Sequence, residues 1–168
     1  MRVYSSEKKL WLNAAVKMPP IPKIKRQLII DDEKLIAQLK KVKYNTQKIE
    51  FEVMYIPLPI QENNEERPRL SQIVLLADKT NGEAIDQYIA DIDDPEASIL
   101  AALISYIEQC GRPLSINVRD DRTACYIEDF CKKIEVELVE DKGIPTIEKL
   151  FDSMLKTIVK EIEETEEE

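Results

Sequence analysis

Near residue 92 the spacing of apolar residues changes from that of a strand to that of a helix, and this limits the folds open to the chain. Upstream, "LSQIVLLADKTNGEAIDQYIAD" places Asn81-Gly82 between two apolar runs, the preferred chemistry of a tight hairpin. Two antiparallel strands are predicted, roughly 71–78 and 83–91, joined either by a two-residue type I′ turn or by the longer turn "DKTNGE". Downstream, "DDPEASILAALISYIEQCG" has an aspartate cap, Pro95 at the first helical position and Gly111 just past the end. Its buried stripe is Ile99, Leu100, Leu103, Ile104 and Ile107.

The same logic extends in both directions. "IEFEVMYIPLP" alternates Phe51, Val53 and Tyr55 against Glu52 and Met54, a strand that two prolines are expected to stop. After Pro113, "LSINVR" is a strand with Leu114, Ile116 and Val118 on one face. "RTACYIEDFCKKI" is a helix along Ala124, Ile127, Cys131 and Ile134, "EVELVE" a short strand and "DKG" a turn. The last helix starts at Thr146 and repeats Ile147, Leu150, Phe151, Met154, Leu155, Ile158 and Ile162 at helical spacing. Consecutive strands form an antiparallel meander, and those alternating with helices join by right-handed crossovers as parallel neighbours. The expected fold is therefore α/β: a mixed five-stranded sheet, a three-strand antiparallel meander followed by two parallel strands, flanked by helices. That element order is the one found in the ribonuclease H-like fold of integrases and transposases, a topological likeness.

The expected organisation is a basic N-terminal arm with short helices (1–48), one α/β domain (49–164) and an acidic tail (165–168). In the arm, one short helix is expected around "SSEKKLWLNAAVK" and another over "DDEKLIAQLKKV", with Leu35, Ile36 and Leu39 on one face. Between them the prolines of "MPPIPKI" force extended backbone. Charge is divided unevenly: residues 1–48 carry +8 and residues 49–168 carry −17. The arm lacks an arginine cluster or interleaved aromatics, and the acidic body would repel a phosphate backbone, so nucleic acid is not the expected partner. The arm is expected to lie against its own acidic domain or a neighbour's.

Composition removes several chemistries. There is no histidine, so Ser-His-Asp and Cys-His activation, histidine-bound zinc and histidine pH switches are all excluded. The three cysteines, Cys110, Cys125 and Cys131, form no CxxC pair, and reduced thiols in a cytoplasmic protein are expected. Three glycines, Gly82, Gly111 and Gly143, make neither a GxGxxG nor a P-loop. No apolar run is long enough to span a bilayer, and the N-terminus does not have the pattern of a secretory signal. What remains is carboxylate chemistry, lysine chemistry or divalent cations held by oxygen.

"RPRLSQIVLLADKTNGEAI", "GRPLSINVRDDRTACYIEDFCKKIEVELVED" and "IPTIEKLFDSML" resemble segments of an uncharacterised bacterial domain family of unknown function. The likeness lies in an "RP…I.VRD" strand, a helix-to-strand passage that reads "FCKKIEVEL" here against the family's "LC..L.IEL", and a proline-led last helix, where "IP" stands here for the family's "LP". It spans roughly residues 50–160 and supports the architecture without implying an activity.

Two functional expectations follow. The preferred one is a non-catalytic, cytosolic α/β interaction or regulatory module, with no cofactor, engaging a protein partner or self-associating through the exposed edge of its sheet. Its alternative is a nuclease or phosphoryl transferase of ribonuclease H-like type. It would hold Mg²⁺ or Mn²⁺ with Glu52 on the first strand, Asp120 at the end of the fourth and Asp152 on the last helix. "INVRDDRTACYIEDFC" echoes a transposase passage, but Glu52 stands where aspartate is usual. On the structural reading, Asp120 or Asp121 caps the helix that follows, Glu52 is a polar residue on a half-buried strand, and Asp152 is on the surface.

Overall fold

The computed structural model describes residues 2–5, 7–13, 27–61, 67–91 and 93–166. In chain order the elements are β1 (Arg2–Ser5), β2 (Leu10–Asn13), α1 (Glu33–Lys41), β3 (Lys48–Ile60), β4 (Arg69–Asp78), β5 (Ala84–Ile89), α2 (Pro95–Cys110), β6 (Ser115–Val118), α3 (Asp121–Ile134), β7 (Glu137–Glu140) and α4 (Pro145–Glu166). The main sheet has five strands in the order β5-β4-β3-β6-β7. β3, β4 and β5 pair antiparallel, while β6 runs parallel to β3 and β7 parallel to β6. This is the expected α/β architecture with its mixed sheet.

Strand alternation sends β3 into two cores. Ile49, Phe51 and Val53 join Val74, Leu76, Ile116 and Val118 beneath α1, α2 and α3. On the opposite face, Ile56, Ile73, Leu75 and Ala77 pack with Ile147, Leu150, Phe151 and Met154 of α4. Each apolar stripe expected on α2, α3 and the first turns of α4 supplies side chains to these cores. Ile162 lies outside the residues whose side chains are described.

Two local expectations are corrected, and one choice left open in the sequence is decided. First, "SSEKKLWLNAAVK" is not a helix over its described part: β1 and β2 pair as a separate two-stranded sheet, Tyr4 opposite Trp11. The two rings meet edge to face at 5.5 Å, a cross-strand contact that favours the ribbon. Residues 14–17 lie outside the described residues. Second, Pro57 and Pro59 do not stop β3. The pairing with β4 skips between Tyr55 and Pro59 and then resumes through Ile60. On its other side β3 pairs with β6 only from Lys48 to Glu50, so the prolines withhold no N–H from that neighbour. Third, the β4–β5 turn is the longer of the two alternatives. Asp78 and Glu83 close it, with a 2.9 Å bond from the Asp78 amide to the Glu83 carbonyl. Type I′ needs two consecutive positive φ angles, and here Gly82 alone has one, at 74°.

The expected 1–48 arm is divided in space. Leu28, Ile30 and Leu39 are buried in the core beneath α1, and the Leu28 amide bonds the Tyr126 carbonyl at 3.1 Å. The segment from Leu28 onward is thus packed with the domain, whereas β1 and β2 form a two-stranded sheet of their own. At the other end, α4 runs on to Glu166, into the segment expected to be tail, and residues 167–168 lie outside the described residues.

One contact ties the two layers together. Glu50, fully buried in β3, accepts the backbone N–H groups of Thr146 and Ile147 at 3.0 and 3.1 Å on one oxygen, Oε2. Those amides open α4 and have no partner within the helix, and the positive end of the helix dipole adds to the attraction. Glu50→Ala removes the acceptor of both amides. It is expected to cost about 2 kcal/mol in urea unfolding and to speed amide exchange at Thr146 and Ile147. A variant as stable as the parent, with those two amides still protected, would contradict this role.

Candidate functional site

Two of the three carboxylates singled out in the sequence, Glu52 and Asp120, lie together at the carboxyl end of β6, beside the first half of β3. β6 pairs with β3 as far as Glu50↔Asn117, so Glu52 projects just beyond the last β3–β6 pair, where Arg119 and Asp120 turn the chain into α3. Glu52 is 4% exposed. Its Oε1 accepts the Thr123 hydroxyl at 2.6 Å and the Val53 amide at 3.1 Å. Its Oε2 has no hydrogen bond and faces the Arg119 guanidinium, Nε lying 3.7 Å away. Burial pushes the Glu52 carboxyl above its ordinary value, and the nearby Asp120 carboxylate pushes the same way. The Thr123 and Val53 bonds and Arg119 pull against them without prevailing.

Asp120 is the N-cap of α3: its Oδ1 accepts the amides of Arg122 and Thr123 at 3.1 and 2.9 Å. This decides between the two aspartates, since Asp121 is the first residue inside the helix. Asp152 is exposed on α4. The α4 residue that does reach the strand ends is Glu148, one turn earlier, whose Oε1 lies 3.4 Å from Arg119 Nη2. Among the described residues, no group of three or more His, Cys, Asp or Glu is arranged to hold a metal ion. Arg119 stands between Glu52 and Glu148, and its positive charge occupies the place where a cation between two carboxylates would have to sit.

Glu50, Arg119, Thr123 and Glu148 were not among the candidates from sequence. A signal for Glu50 was present: Glu50 and Glu52 recur two apart on a strand whose opposite face is Phe51 and Val53, so both share one face. Only the packing of α4 turns that face inward.

Two pockets adjoin α3. One, about 440 Å³, lies between α3 and β7, with Cys125, Glu128, Cys131 and Glu140 in its wall. Cys131 is buried, and burial pushes its thiol up to about 12, so it is no thiolate nucleophile at neutral pH. A smaller one, about 200 Å³, is bordered by Tyr55, Gln72, Ile99, Arg122 and Tyr126. Neither has Glu50, Glu52 or Asp120 in its wall. A buried carboxyl of raised pKa beside a threonine hydroxyl can exchange a proton.

The family model of a domain of unknown function, DUF6930, matches residues 35–155. No curated protein and no solved structure matches the chain. No helix among the described residues is long and apolar enough to cross a membrane.

The raised pKa of Glu52 has a thermodynamic consequence. The folded state binds its proton more tightly than the unfolded state does. The stabilisation is complete below the ordinary value of 4.5 and is lost as pH rises through the higher folded value. Glu52→Gln carries no such titration and can keep the acceptor for Thr123. Its melting temperature relative to the parent is expected to climb as pH rises above 4.5 towards neutrality. A variant that tracks the parent at every pH would show that Glu52 titrates normally.

Proposed function

The chain belongs to the family of the domain of unknown function DUF6930, and we propose that it is a non-catalytic interaction module that pairs with a second copy of itself through the open edge of its sheet. The observation that carries this reading is β5. It is an edge strand, and five of its six residues are exposed, Ile85 alone being half-buried. Tyr88 and Ile89 are 46% and 62% exposed although they pair with the buried Val74 and Ile73 of β4. Edge strands are ordinarily blunted by lysine, proline, short length or a bulge. β5 has neither lysine nor proline, and its one bulge, at Ile85, leaves Asp86–Ile89 regular. The opposite edge is shorter: β7 has four residues, of which only Glu137 and Glu140 at its ends are exposed. The three free cysteines support a cytosolic setting.

A second reading keeps one observation in its favour. Glu52 and Asp120 do lie close enough for their charges to interact, at the strand ends where ribonuclease H-like enzymes hold Mg²⁺ or Mn²⁺. Asp152 would complete that set, but it is exposed, and Arg119 stands beside Glu52. The interaction module accounts for more of the side chains.

Sedimentation velocity tests the first reading. The parent chain is expected to pass from monomer to dimer with rising concentration, and Ile89→Lys is expected to remain monomeric. The lysine lies at a solvent-exposed position, so the fold should tolerate it. A parent that stays monomeric, or a dimer indifferent to Ile89→Lys, would contradict the β5 interface.

A further inference from the structure

The open edge of β5 has a complement on the same chain. Among the described residues, the β1–β2 ribbon is a sheet of its own and pairs with no other strand. A lone two-stranded ribbon is marginal in water, and this one leaves Tyr4, Leu10 and Trp11 51%, 46% and 59% exposed. Its turn carries exposed Lys8 and Lys9 against Glu7. The segment around β5 has the opposite sign: Glu83, Asp86, Asp91, Asp93, Asp94 and Glu96, with no lysine or arginine from 83 to 96, and Asp93 is ion-paired across to Arg69 of β4. Each partner thus has what the other lacks. Both have an outer edge, on which the Gln87 amide of β5 is held by the adjacent Asp86 carboxylate at 2.8 Å, both expose aromatic and aliphatic side chains, and their charges are opposite.

We infer that the β1–β2 hairpin of one copy adds to the β5 edge of a second copy, extending its sheet by two strands. This rests on the proposed self-association and names the occupant of the same edge. In the structure the hairpin is not paired with β5 of its own chain. Reciprocal exchange about a twofold axis gives each copy one donated and one received hairpin, a closed arrangement that stops at the dimer. Main-chain bonds to β5 supply the pairing, Tyr88 and Ile89 meet the exposed ring and aliphatic groups of the hairpin, and Lys8 and Lys9 face the carboxylates that flank β5.

Trp11 is the sole tryptophan of the chain, so its fluorescence reports on the hairpin alone. Sedimentation velocity and Trp11 emission are followed together over a concentration series of the full chain. The expected result is a doubling of mass with a blue shift of Trp11 over the same concentrations. Lys8→Glu/Lys9→Glu should weaken the dimer about tenfold or more, and adding Asp86→Lys should restore part of the loss. These positions are all exposed, so the fold should tolerate the changes. A dimer in which Trp11 emission does not move and the charge reversal has no effect overturns the hairpin as occupant, while self-association stands. A Trp11 already blue-shifted in the monomer overturns it too, because the hairpin is then covered by its own chain. A chain that stays monomeric throughout contradicts both the inference and the reading it rests on.

Discussion

The carboxylate of Glu50 is the constraint on which the two layers of this fold depend. It sits at zero exposure on the central strand, where an ionised group without partners would be prohibitively costly. Two amides from the first turn of α4 converge on one of its oxygens and place the positive end of a 22-residue helix against it. The other oxygen has no hydrogen-bond partner among the described residues. The bond is therefore directional as well as stabilising: it fixes where α4 begins relative to β3. Ile147 then follows directly into the second core.

From that anchor the strand-end cluster follows. With α4 begun at Glu50, its first turn brings Glu148 to Arg119, and Arg119 extends on to Glu52. Glu52 in turn is bonded to Thr123 in the first turn of α3, whose N-cap is Asp120. Three segments that are far apart in sequence are joined by a short chain of ionic and hydrogen-bonded contacts. Arg119 makes its two ion pairs at 3.7 and 3.4 Å without a hydrogen bond to either carboxylate. The group is thus held by Coulomb attraction in a partly dry environment, which suits joining elements better than positioning a reacting atom.

Much of this was legible in the sequence, because periodicity reports directly on which face of an element is covered. The switch from alternating to helical spacing near residue 92 gave the order of strands and helices, and the caps at Asp94, Pro95 and Gly111 stand where the residues placed them. What escaped had specific causes. "KKLWLN" fits a helix turn as well as a strand, and only the Tyr4–Trp11 contact across the ribbon separates the two. The prolines of β3 read as a stop, because the sequence does not say that β6 ends at Val118 and leaves that flank unpaired. Glu50 and Glu52 looked like the solvated face of a half-buried strand, since nothing local announces that a helix nearly a hundred residues later will cover it. Asp120 could be recognised as half of a pair, but whether it or Asp121 capped the helix needed the backbone.

The strand-end carboxylates join elements of the fold, and the proposed working surface is the edge of the sheet. The sharpest test of that role for the carboxylates is to titrate Mn²⁺ into the ¹⁵N-labelled chain and follow paramagnetic broadening of the amide signals. Carboxylates engaged by Arg119, Thr123 and the amides of α3 and α4 should attract no ion, so Val53, Asp120 and Thr123 should broaden no more than exposed acidic positions elsewhere. Selective, saturable broadening centred on those three amides, abolished by Asp120→Asn, would contradict it and place a metal where Arg119 now stands.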